Sequence, residues 1–94
     1  MTIKELLQRE GISEKAALKE QAILHAHAKI SRFQAECSGF ENKYGMPFQK
    51  MKKKYEGRKE SEDFLEEEDY SDWEYAWNSL NWWKKNVKEA QNAD

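Results

Sequence analysis

Between residues 13 and 44 the apolar side chains fall at Ile23, Ala26, Ile30, Phe33, Cys37, Phe40 and Tyr44, spaced alternately by three and four. That is the period of a helix committed along one seam to a partner helix, as in a coiled coil. Only Gly39 interrupts a run of good helix formers, so the pattern predicts one long helix over about 13–44, ~48 Å at 1.5 Å per residue. On its other side Ala17, Leu24, Ala28 and Ala35 form a second line, mostly of small side chains, over which another backbone can approach closely. A second long apolar face, Tyr70, Trp73, Ala76, Trp77, Leu80, Trp83 and Val87, predicts a last helix over about 69–91. Acids cluster at its start and Lys84, Lys85 and Lys88 at its end, the order that the helix dipole favours.

Punctuation between these runs completes an all-α fold. Thr2-Ile3-Lys4-Glu5 reads as a capping box that opens a short helix over about 3–10. Gly11 suits its left-handed end, and Ser13 suits the N-cap of the long helix. Tyr44-Gly45-Met46-Pro47 stops one helix and starts another, with Gly45 past the end and Pro47 at the first helical position. A short corner helix over about 47–56 follows, and a charged linker is expected over about 58–68. The architecture expected is an antiparallel hairpin, the last helix running back along the Ile23–Tyr44 seam, with Phe33, Phe40, Trp73, Trp77 and Leu80 as core.

Size and composition narrow the function classes. Ninety-four residues make one domain, too small for a two-domain enzyme. With 36% charged and 13% aromatic residues the chain is polar, but it is not the aromatic-poor type that stays disordered. A thin core of this kind gains from self-association, and Leu6, Leu7, Leu18 and Leu24, beyond the reach of the last helix, are the expected homodimer interface. The net charge of -2 supplies no global basic field for nucleic acid. The single Cys37 cannot form an internal disulfide, and no apolar run reaches signal-peptide or membrane-span length. A cytoplasmic protein with no membrane partner is expected.

Charge is sharply segregated within the chain. Residues 50–59 hold six bases and one acid, whereas residues 60–74 hold nine acids and no base. The basic cluster Lys50, Lys52, Lys53, Lys54 and Arg58 interleaves with Phe48 and Tyr55, raw material for a single-strand nucleic-acid patch. The acids Glu66, Glu67, Glu68 and Asp69 can either solvate a helix start or mimic a phosphate backbone toward a basic partner. The same run lacks the glycine and terminal glutamate of a calcium loop. His25 and His27, two residues apart on a helix, point about 200° away from one another and do not make a metal pair. Cys37 lies in the apolar seam as a small packing group, and no phosphate loop, nucleophile elbow or zinc spacing occurs. No cofactor, metal or catalytic set is therefore expected. Tyr75 and Trp82, seven residues apart on the nominally solvated face of the last helix, have the character of binding anchors.

Two segments carry a resemblance. Phe40-Glu41-Asn42-Lys43-Tyr44-Gly45-Met46-Pro47-Phe48 and Asp69-Tyr70-Ser71-Asp72-Trp73-Glu74 resemble the F-E-x-K-Y-G-M-x-F corner and D-Y-x-x-W-E element of a group of small prokaryotic helical proteins. Some of that group look like antitoxin halves of toxin–antitoxin pairs. The matching positions lie within residues 40–74 and are mostly structural. Lys50-Met51 departs from the acid and aromatic of the pattern. The resemblance implies a helical fold and a basic, nuclease-like partner.

Together these features favour a non-enzymatic protein-interaction module, antitoxin-like, binding its partner through Tyr75, Trp82 and the acids at 66–69. A nucleic-acid-binding helper using the lysine cluster, and a purely structural self-assembling protein, are the alternatives.

Overall fold

The computed structural model describes residues 2–57 and 64–92, and these form four α-helices: α1 (Ile3–Arg9), α2 (Glu14–Tyr44), α3 (Phe48–Glu56) and α4 (Phe64–Asn92). Local chemistry sets the boundaries. The Thr2 hydroxyl accepts from Glu5 N–H at 3.1 Å, and the Ser13 hydroxyl from Ala16 N–H at 3.0 Å, each satisfying a donor that the first turn leaves without a partner. Gly45 ends α2 at φ 66°, a left-handed conformation that costs other residues a clash between Cβ and backbone. Pro47 sits one position earlier than the sequence suggests. It is the N-cap of α3, with an extended ψ of 157°, and its carbonyl accepts from the N–H groups of Lys50 and Met51.

Helices α2 and α4 pack antiparallel, so that late α2 meets early α4. Phe40 and Tyr44 stack on Trp73 with ring centroids 5.7 and 5.9 Å apart, while His25 meets Trp83 edge-on at 5.5 Å near the other end. The seam of α2 faces inward as its period requires: Ala26, Phe33 and Cys37 are buried, and Ile30, Phe40 and Tyr44 are half-buried. From α4 come Trp73, Ala76, Leu80 and Val87. Of the expected core, Phe33, Trp73 and Leu80 are buried, whereas Phe40 and Trp77 are half-buried and pack against it.

Helix α3 closes one flank of the hairpin. Its Phe48 and Met51 are buried. Phe48 lies 5.7 Å from Tyr70, 5.6 Å from Trp73 and 5.0 Å from Trp77, and Tyr55 stacks on Tyr70 at 4.2 Å. The corner therefore holds an aromatic box around Trp73, which has no solvent exposure. Its indole N–H finds no acceptor among the described residues.

The expected linker over 58–68 is corrected in part. Residues 58–63 lie outside the described residues, but Phe64 to Glu68 are helical, and α4 begins five residues earlier than the apolar face suggests. Acidic side chains in a first turn complement the positive end of the helix dipole, and Glu66 also reaches Lys54 of α3 at 3.7 Å. A charge run thus serves as a helix start. No described helix is long and apolar enough to cross a membrane.

Candidate functional site: the open flank of the hairpin

Helix α3 covers the Tyr70 and Trp77 side, and among the described residues no third helix covers the opposite side of the hairpin. There Tyr75 is 66% and Trp82 57% exposed, although Trp73 on the inner face of the same helix is completely buried. Tyr75 touches Phe33 edge-on at 5.9 Å, and Trp82 leans on Trp83 at 4.8 Å, so each ring is propped by a second aromatic rather than loose in solvent. Asn86 Nδ2 donates to the Trp82 carbonyl at 2.8 Å and Asn81 Nδ2 to the Trp77 carbonyl at 2.9 Å.

Tyr75 is shared by two open grooves. One, of about 550 Å³, runs between the helices over Ala35, Gly39 and Phe40, with Arg32, Lys43 and Asp72 on its rim. The other follows α4 past Ser71, Asn78 and Ser79 to Trp82. Ala35 and Gly39 of α2 thus meet Tyr75 of α4 at one groove, while Trp82 lies along the other. A Cβ placed on Gly39 meets no atom within 4 Å, so that glycine is not required by any contact within the subunit. Arg32 and Glu36, one turn apart beside this floor, pair at 3.4 Å.

The acidic residues divide by helical phase. Glu66 and Asp69 face the core side of α4, while Glu68 and Asp72 share an arc of about 80° with Tyr75 and Trp82 at 100° per residue. Asp69 is taken up internally: its Oδ2 accepts from both Lys43 Nζ and the Tyr44 hydroxyl. Glu66 is likewise half-buried beside Lys54. A uniform acidic strip over 66–69 is therefore corrected to two acids used within the fold and two, Glu67 and Glu68, exposed. Helical rotation is the reason, since neighbouring residues cannot all face one partner.

The bonds from Lys43 and Tyr44 hold the Asp69 carboxyl below its ordinary value of 3.8, against the smaller opposing effect of partial burial. Burial and the bond to Asp69 push the Tyr44 hydroxyl well above its usual 10. The signs fix the pH window. A carboxylate with a lowered folded pKa contributes stability above its unfolded value, lost as pH falls through the folded one; a phenol with a raised folded pKa contributes below its unfolded value and loses it as pH rises further. Denaturant midpoints should therefore fall on both sides, below about pH 3.8 and above about pH 10, and Asp69→Asn should flatten the acid limb. An unchanged acid limb in that variant would remove Asp69 from the account.

Lys50, Lys52 and Lys53 are exposed on the outer side of α3, Lys54 pairs with Glu66, and Arg58 lies outside the described residues. Leu6, Leu18 and Leu24 are exposed and Leu7 half-buried, Leu6 and Leu7 on α1 and Leu18 and Leu24 in the first half of α2. Cys37 is buried, and burial together with Glu41 and Glu36 raises its thiol pKa, the opposite of an activated thiolate. Among the described residues no group of His, Cys, Asp and Glu is arranged to hold a metal ion. Sequence reasoning missed Gly39 and Asp72 as parts of the flank; the break that Gly39 makes in an otherwise uninterrupted helix was the available signal.

By fold and site, then, the molecule is an all-α antiparallel hairpin closed on one flank by a corner helix and open on the other. No family model matches the chain, and no curated protein or solved structure matches it.

Proposed function

We propose that this protein is a non-enzymatic interaction module, antitoxin-like in character, whose open flank receives a helical segment of a basic partner protein. The observation that carries the reading is the exposed pair Tyr75 and Trp82, of which Tyr75 stands beside a floor of Ala35 and Gly39. Large aromatics supply much of the energy of protein interfaces, and small residues let a second backbone come close. Glu68 and Asp72 on the same arc favour a partner of positive charge and speed its encounter. The chain acts in this reading as a self-associating subunit, through a surface apart from the flank.

Gly39 offers a test that needs no knowledge of the partner's name. A mid-helix glycine is less favourable than alanine by roughly 0.5–1 kcal/mol, and the added methyl has free space here. Gly39→Ala should therefore raise thermal stability, while Gly39→Leu, which fills the groove, should abolish partner capture in a folded protein. Capture of the tagged chain from its native lysate, with and without nuclease, completes the test. A basic protein retained after nuclease by the wild type and lost in Gly39→Leu supports the reading. Retention that disappears with nuclease and falls steeply with salt would assign the Lys50–Lys54 face to nucleic acid instead.

A further inference from the structure

We infer that the arm made by α1 and the first turns of α2 docks on the same arm of a second copy across a twofold axis. This rests on the self-association just proposed and gives it a surface, independent of the Tyr75 and Trp82 flank. Burial by α4 begins only at Ala26; among the described residues nothing earlier in the chain is buried. Yet the arm is rich in leucine and isoleucine: Ile3 is 80% and Leu18 71% exposed, and Leu6 and Leu24 are about half exposed. Between α1 and α2 lies an open groove of about 660 Å³, lined by Ile3, Leu7, Ala17 and Leu18. Its charged members are Lys4 on the α1 wall and Glu14 on the α2 wall.

Charge selects the occupant. Residues 2–24 carry four bases and four acids, so this surface attracts neither a basic nor an acidic partner, in contrast to the acidic flank of α4. It is, however, complementary to itself. In a twofold interface, if residue i meets residue j, residue j meets residue i. The proposed axis sets Lys4 of one copy against Glu14 of the other, a pairing that symmetry repeats twice in each dimer, and the leucines fill both grooves at once.

Sedimentation equilibrium of the full chain at tens of micromolar, with helix content followed by circular dichroism, tests the arrangement. The wild type should sediment at twice its subunit mass of 11.2 kDa. Leu18→Glu, at an exposed position that leaves the hairpin core untouched, should weaken the dimer by at least about tenfold through an unpaired charge set against apolar surface. Lys4→Glu alone should weaken it as well, and adding Glu14→Lys should restore it. A monomeric wild type would overturn both this surface and the self-association reading. A dimer indifferent to Leu18→Glu and Lys4→Glu would overturn the arm and leave self-association standing through another surface. A double reversal no tighter than the single one would overturn the twofold pairing of Lys4 with Glu14.

Discussion

Replacing Trp73 by alanine is expected to cost about 3–5 kcal/mol, the range for deleting a large buried aromatic. Whole domains are stable by only about 5–15 kcal/mol, so the variant should melt far below the wild type or fail to fold cooperatively. The reason lies in what meets at this one ring. Phe40 and Tyr44 from α2 stack against it and Phe48 from α3 meets it edge-on, so three helices lose a shared contact together. Trp73→Phe should be much milder. It keeps a ring in the box, and it removes an indole N–H that is buried without an acceptor among the described residues, a burden of about 1–3 kcal/mol that offsets part of the lost volume. Thermal and urea melts of both variants check the ranking. A Trp73→Ala protein as stable as Trp73→Phe would mean that the box does not depend on its central ring.

The second large effect concerns binding rather than folding. Joint replacement of Tyr75 and Trp82 by alanine should weaken partner binding about a thousandfold, since two aromatic anchors at about 2 kcal/mol each combine to roughly three decades. Stability should fall by less than in Trp73→Ala. Both rings are mostly exposed, and the edge contacts that they lose, with Phe33 and Trp83, are worth about 0.5–1.5 kcal/mol each at most. A titration of the captured partner against wild type and double variant, with melts in parallel, separates the two effects. Binding that survives the double substitution would move the site away from this flank.

Much of the architecture was legible in advance because helical signals are local. The alternating three and four spacing from Ile23 to Tyr44 forces those side chains onto one stripe whatever the rest of the chain does. Caps act equally locally, and Thr2, Ser13 and Gly45 mark their boundaries through bonds to residues no more than four positions away. The start of α4 was less legible. Apolar periodicity begins at Tyr70, and nothing in the acidic run shows that Lys54 stands close enough to draw Glu66 into a helix, because that contact spans two elements.

The candidate site was legible only in pieces. Tyr75 and Trp82 stand apart from the buried face of α4 by simple rotation, and the small line of α2 is visible by the same reasoning. The meeting of Ala35 and Gly39 with Tyr75 could not be read, since it depends on how the two helices pack. Asp69 makes the same point in the other direction. In sequence it is one acid among four, but antiparallel packing brings it to Lys43 and Tyr44, and a residue apparently offered to a partner becomes a clasp within the fold.

By itself, then, the sequence determined the all-helical class, the inward seam of α2 and the outward rotation of Tyr75 and Trp82, because each follows from the 100° step of a helix. Only the tertiary structure decided which acids remain available and that Gly39 and Tyr75 line one groove. Those depend on the register and handedness of packing between helices, and such contacts join residues whose separation along the chain carries no periodic signal.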